Sequence, residues 1–189
     1  MFTHFYSDPH LGHKNIIKYA NRPFESVYEM NETLIANYNN IICKDDFCLW
    51  FGDTVFMGKE DARIMLARFN GKKALIKGNH DKHSPNWFLS LGFSYIFDTP
   101  IHLSIGGYPV RASHYPYITT LKGVPRNKYV DRYPAPKKGE ILLHGHIHNK
   151  IKINGNQIHV GVDAWDYSPI SIKQIQELIF QKFVKGRYA

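Results

Sequence analysis

The residues best suited to chemistry fall in five short segments: Asp8-Pro9-His10, Gly52-Asp53, Gly78-Asn79-His80-Asp81, Ser113-His114 and Gly145-His146-Ile147-His148. Aspartate, asparagine and histidine in this mixture suit divalent transition metals. Hydrolysing a phosphate ester at neutral pH needs an activated water, neutralised phosphoryl oxygens and help for the leaving alkoxide. Two ions about 3.5 to 4 Å apart meet the first two needs, by sharing a hydroxide, lowering its pKa and clamping an in-line transition state. Such a pair requires one bridging carboxylate, and Asp53 is the natural candidate. The imidazoles favour manganese, iron, zinc or nickel over magnesium or calcium, with manganese the expected ion. Within Asp8/His10 and His146/His148 the i, i+2 spacing places both side chains on one side of an extended backbone, where they would close on a single ion.

Each segment follows an apolar run of strand character: Phe2 to Tyr6, Phe47 to Phe51, Ala74 to Ile76, Tyr108 to Ala112 and Ile141 to Leu143. Between the first two, Ser26-Val27-Tyr28-Glu29 matches a capping box, and Val27, Met30, Leu34, Tyr38 and Ile41 keep helical spacing behind it. Ala62, Met65, Leu66 and Phe69 mark a second amphipathic helix that ends near Asn70-Gly71. Strand, helix, strand, helix, strand implies parallel strands whose loops gather at their carboxyl ends, where the metal-type residues lie. The second half reads differently, with hairpins across Gly106-Gly107 and Asn154-Gly155-Asn156 and a final helix from about Ser171. A second, partly antiparallel sheet is therefore expected.

A chain of 189 residues, 43% hydrophobic and 21% charged, fits one domain spanning 1–189 with a sizeable core. There is no secretion-type leader and no apolar run near the roughly 20 residues of a membrane span, so a cytoplasmic protein without membrane contact is expected. Cys43 and Cys48 are the only cysteines and read as buried free thiols rather than a disulfide or zinc clip. The net charge of +8 favours an anionic partner. Its densest stretch runs from Lys122 to Lys138, where basic residues alternate with Tyr129, Tyr133 and prolines inside the long irregular region from about Tyr115 to Gly139. The Gly52 to Gly58 stretch before Lys59 has one residue too many for a phosphate-cradling P-loop and no Ser or Thr after the lysine. There is no G-x-S-x-G elbow, and neither cysteine has a placed base.

In order and spacing, the five segments resemble the calcineurin-like metallophosphoesterase superfamily, whose pattern D-x-H, G-D, G-N-H-[DE], H and G-H-x-H they fill across nearly the whole chain. Leu11 to Ile16 and Gly161-Val162-Asp163-Ala164-Trp165 look like a compact, capless bacterial and phage branch. The resemblance implies a four-layer α/β sandwich, two packed mixed β-sheets flanked by α-helices. It further implies that Asp8, His10, Asp53 and His148 hold one divalent ion and that Asp53, Asn79, His114 and His146 hold the other. His80 is then left off the metals, to act as general acid or charge stabiliser. The chain departs from the phosphoprotein phosphatase branch, in which G-D is followed by x-x-D-R-G; Phe56 and Met57 replace that Asp and Arg. The usual carboxylate partner of the catalytic imidazole is thus missing, leaving Asp81 or a backbone carbonyl to orient His80.

Other residues belong to a second tier. His13 either reaches a substrate phosphate or lies on a helix surface, and Tyr115 either stacks on a base or packs a loop. Asn79, Arg126 and Lys128 are further candidates for substrate contact. Asp163 either lies near the metals or supports a hairpin, and Trp165 reads as core. The expected activity is phosphodiester hydrolysis of a nucleotide, a cyclic nucleotide or a nucleic-acid end, with a broad phosphomonoesterase or nucleotide phosphatase as the alternative. A purely structural scaffold role fits poorly with a complete ligand set. The sequence is silent on oligomeric state.

Overall fold

The computed structural model of the protein describes residues 1–117 and 130–184. Its first half alternates as expected: β1 (His4–Tyr6), α1 (Ile16–Tyr19), α2 (Val27–Ile41), β2 (Phe47–Trp50), α3 (Lys59–Ala67), β3 (Lys72–Ile76), α4 (Pro85–Leu89) and β4 (Tyr95–Phe97). Then follow β5 (Ile101–Ile105), β6 (Tyr108–Ala112), β7 (Ile141–His144), β8 (Ile153–Asn154), β9 (Gln157–His159), β10 (Ile170–Ser171) and α5 (Ile172–Ile179). Two five-stranded mixed sheets result, ordered β10-β1-β2-β3-β4 and β5-β6-β7-β9-β8. In the first, β1 to β4 run parallel, while β10 pairs antiparallel with β1. In the second, β6, β7 and β9 run parallel and the antiparallel β5 and β8 close the edges.

The period-2 alternation of the strands separates two cores. Phe5, Leu49, Ala74 and Ile76 point from the first sheet toward Val110, Ala112, Ile141, Leu143 and Ile158 of the second, where α5 adds Ile175 and Ile179. Tyr6, Cys48, Trp50 and Leu75 face the other way, onto Met30, Leu34 and Tyr38 of α2 and Ala62 and Leu66 of α3. Trp50 lies within 4.9 to 5.7 Å of Tyr6, Tyr38, Phe69 and Phe93, with rings mostly edge to face. This is the expected sandwich of two mixed sheets flanked by helices.

Capping explains where the longest helix starts. The Ser26 hydroxyl accepts the Glu29 N–H at 3.1 Å, but the Glu29 carboxylate reaches past the capping-box position to the Glu25 N–H at 2.7 Å. The complete box caps α5 instead, between Ser171 and Gln174. Both cysteines are free, but only Cys48 is buried; Cys43 is exposed, just beyond the end of α2, which corrects the expectation of two buried thiols. No described helix is long and apolar enough to cross a membrane.

Candidate metal centre

The five segments do converge. The loops after β1, β2 and β3 bring Asp8, His10, Asp53, Asn79 and His80, and the loops after β6 and β7 bring His114, His146 and His148. The local backbone differs from the extended one expected: Asp8 (φ 59), His10 (φ 51), Asp53 (φ 52), His146 (φ 74) and His148 (φ 40) all adopt left-handed conformations. Such residues cost energy outside glycine and gather where surrounding structure holds them for a purpose. The i, i+2 argument fails for the second pair in another way too, since His146 and His148 join different clusters.

One cluster is Asp8, His10 and His148; the other is Asp53, His114 and His146. Asp53 Oδ2 lies between them, 3.6 Å from His10 Nε2 and 3.7 Å from His114 Nε2. The Phe51 carbonyl accepts the His114 Nδ1–H at 2.6 Å, so in the neutral ring Nε2 carries a lone pair. That lone pair faces Asn79 Oδ1 at 2.9 Å, an acceptor against an acceptor, with His146 Nδ1 at 3.1 Å. In the first cluster, Asp8 Oδ1 and both His10 nitrogens are buried without a hydrogen-bond partner. Asp163 accepts the His148 Nδ1–H at 2.9 Å, which in the neutral ring leaves a lone pair on Nε2, able to bind a metal. Orphaned lone pairs in a buried space cost about 1 to 3 kcal/mol each, and these are of the kind a cation would satisfy. The donor set fits divalent transition ions.

The titration behaviour has the same origin. Burial drives the Asp53 carboxyl up, only partly offset by His114, with Asp8 and Asp81 adding repulsion. Burial would also raise Asp8, but His114, His148, the Ser7 hydroxyl and the His146 N–H hold it below its ordinary value. Burial, reinforced by His148 and Arg22, keeps His10 far below the usual imidazole range, and burial with His114 lowers His146 to about 3. These two rings are neutral at physiological pH and available to bind metal.

The packing leaves no room for side chains at two glycines. A methyl on Gly78 would collide with Asp53 Oδ1 and with His114 Cε1, and one on Gly145 with Ser7 Oγ and Asp8 Oδ2. Asp81 does not orient His80. Its buried carboxylate instead accepts from the N–H groups of Asp53 (2.7 Å), Gly78 (2.9 Å) and Thr54 (3.1 Å) and from the Thr54 hydroxyl (2.8 Å), tying the β2 loop to the β3 loop.

The His80 side chain is 41% exposed, with Nε2 4.0 Å from Asp53 Oδ2, and its backbone N–H donates to Asp53 Oδ1 at 2.9 Å. Phe56 lies 5.0 Å from the His80 ring and stacks on His13 at 4.2 Å and 9°. His13 therefore sits beside the site, in line with His10 and Phe56, rather than on a free helix surface. Burial first, then His13 and Lys82, lowers the His80 pKa.

A cleft of about 830 Å³ opens on the Asn79 and His114 side, with Lys77, Lys82, Arg111 and Tyr115 also in its wall. Tyr115 is only 4% exposed, its ring packed against His114, Tyr133 and His146. Arg126 and Lys128 lie outside the described residues. Trp165, expected as core, is half-buried, with its Nε1–H donating to the His159 carbonyl at 2.6 Å. Arg22 and Tyr133 are two supporting residues the sequence reading missed. The Tyr133 hydroxyl meets His146 Nε2 at 2.8 Å, and Arg22 binds Asp163 and the Asp8 and Pro9 carbonyls. Sequence alone marks Tyr133 only as part of the basic, aromatic stretch, and Arg22 stands in no local pattern at all.

No protein-family model matches the chain. It is 32% identical over 183 residues to "Uncharacterized protein MJ1445" of Methanocaldococcus jannaschii, an alignment covering 92% of this chain and 88% of that one. It is 30% identical over 185 residues to the Gene 66 protein of Mycobacterium phage L5, covering 86% and 87%. Among solved structures, the AQ665 protein of Aquifex aeolicus shares the fold at a TM-score of 0.68 and 24% identity, over 93% of this chain and 98% of that one.

Proposed function

This chain belongs to one protein family with the archaeal MJ1445 protein and the phage L5 gene 66 protein, and we propose that it is a dinuclear, metal-dependent phosphodiesterase of the calcineurin-like superfamily. The observation that carries the reading is the meeting of two ligand triads around Asp53 Oδ2. Asp8, His10, Asp53 and His148 would hold one ion, and Asp53, Asn79, His114 and His146 the other. Bound there, divalent ions supply acidified water and charge neutralisation for the phosphoryl oxygens. The chain's own residues do the remainder. The buried carboxylates and neutral imidazoles bind, while Asp81 and the two glycines keep the loops close enough to do so. His80, half-exposed at the edge, faces the leaving-group oxygen. Its pKa is low in the free protein, and a phosphate anion beside it favours the imidazolium, so the ring takes up a proton with substrate and gives it to the departing alkoxide.

Two features support a diester over a monoester. The cleft beside Asn79 and His114 has room for a second ester substituent, and Phe56 puts an apolar ring where the phosphoprotein branch has a carboxylate. The positive net charge suits a nucleotide or a nucleic-acid end. The test compares manganese-loaded protein on bis-p-nitrophenyl phosphate and on p-nitrophenyl phosphate, with His80→Ala as control. Faster diester turnover that EDTA abolishes, and that falls by about 100- to 10,000-fold in His80→Ala, is expected. Faster monoester turnover would replace this reading with a broad phosphomonoesterase, and inactivity on both at saturating manganese or nickel would end it.

A further inference from the structure

The Arg22 side chain is wholly buried, and all of its N–H groups are engaged. Nε donates to Asp163 Oδ1 at 2.8 Å. Nη2 donates to Asp163 Oδ2 at 3.0 Å and to the Asp8 carbonyl at 2.7 Å, and Nη1 to the Pro9 carbonyl at 3.0 Å and Met30 Sδ at 3.4 Å. Two of these partners are the carbonyls of the left-handed turn that presents Asp8 and His10. A third, Asp163 Oδ2, also accepts the His148 Nδ1–H at 2.9 Å. One rigid fork thus touches the support of every member of the Asp8/His10/His148 cluster. It makes no hydrogen bond to Asp53, His114 or His146, which lean on the Asp81 carboxylate, the Phe51 carbonyl and Tyr133; the turn it holds touches them only indirectly, Asp8 Oδ2 accepting the His146 N–H and the His10 N–H donating to the Asp53 carbonyl. A lysine could not replace it, because an ammonium on a flexible stem cannot reach a carboxylate edge and two divergent carbonyls at once.

We propose that Arg22 is a positioning residue for one half of the site: through Asp163 it fixes the His148 ring and the Asp8-Pro9-His10 turn together, setting the affinity of that cluster for its ion far more than that of the other. The proposal rests on the dinuclear reading above. Mn2+ titration by calorimetry, on the wild type, Arg22→Lys and Asp163→Asn, tests it. The wild type binds two Mn2+ per chain; each variant binds one about 10- to 100-fold more weakly and the other with a clearly smaller loss. Folded variants with both affinities unchanged, or with both lowered equally, would overturn the proposal. Nitrogen NMR of the metal-free wild type supplies a readout independent of the variants' folding: His148 must carry a proton on Nδ1, and a ring protonated on Nε2 alone would overturn the proposal by itself. A wild type that binds fewer than two Mn2+ sinks the dinuclear reading and this proposal with it, whereas two ions in the wild type with unaltered variants sinks only the role of Arg22.

Discussion

Asp81→Asn is the sharpest test of how the site is braced. The carboxylate divides four hydrogen bonds between its oxygens: Oδ2 accepts from the Asp53 and Gly78 N–H groups, Oδ1 from the Thr54 N–H and hydroxyl. An amide cannot satisfy this set. With its NH2 at the Oδ2 position it faces two backbone donors. At the Oδ1 position it faces the Thr54 N–H, while the hydroxyl turns to accept. The second orientation is cheaper, and it still leaves one buried N–H unpaired, at about 1 to 3 kcal/mol, while the surviving bonds lose their charge. Relief from desolvating a carboxylate offsets part of this. The expected loss is about 3 kcal/mol, equivalent to roughly 6 to 12 °C in Tm for a chain of this size. Urea unfolding in EDTA measures it without any contribution from bound ions. Mn2+ titration of the same variant should show weakened binding, because the bond that anchors the Asp53 N–H has lost its charge and the Thr54 N–H beside it has lost its acceptor. Stability within about 0.5 kcal/mol of wild type would refute the bracing role.

Three further outcomes follow from the same geometry. Asp53→Asn should impair both Mn2+ sites, because one carboxylate oxygen lies between the two clusters; calorimetric loss of a single ion would contradict the shared position. Gly145→Ala should lower both stability and metal binding, since its methyl would push on Ser7 and Asp8, and an unchanged Tm with unchanged Mn2+ affinity would show that this contact is relaxed at no cost. In acid, burial would raise the Asp163 carboxyl, but His148 and Arg22 bring it down to about 2. A depressed folded-state pKa means stability that is present above the unfolded value near 4 and lost as pH falls through about 2, worth up to about 2 kcal/mol. The gap in urea midpoint between metal-free wild type and Asp163→Asn should therefore narrow from pH 5 to pH 2, and a constant gap would argue against the ion pair.

The candidate ligands were legible because each stands within a few residues of a strand end, so a local pattern marks both the element and the residue. Helix α2 could be read from its period and its Ser26 cap, and the β5–β6 pairing from Gly106-Gly107. Strand β10 could not: its second residue, Ser171, is also the N-cap of α5, and the two residues become a strand only by pairing with β1 from the far end of the chain. The left-handed turns were hidden because aspartate and histidine carry no glycine-like signature for positive φ. Arg22 was hidden for a different reason. An arginine in a loop looks solvated until the fold brings Asp163, 141 positions away, against it.

Each cluster draws on both sheets: Asp8 and His10 from the first sheet meet His148 from the second, and Asp53 from the first meets His114 and His146 from the second. An ion in either position would therefore be a rivet through the sandwich, fastening two slabs otherwise held by apolar packing and a few hydrogen bonds at this rim. Metal supply would then govern cohesion as well as turnover, and the melting point should climb with free Mn2+ concentration as for any ligand that only the assembled form can grip. Half the molecule, however well folded, would own no complete cage.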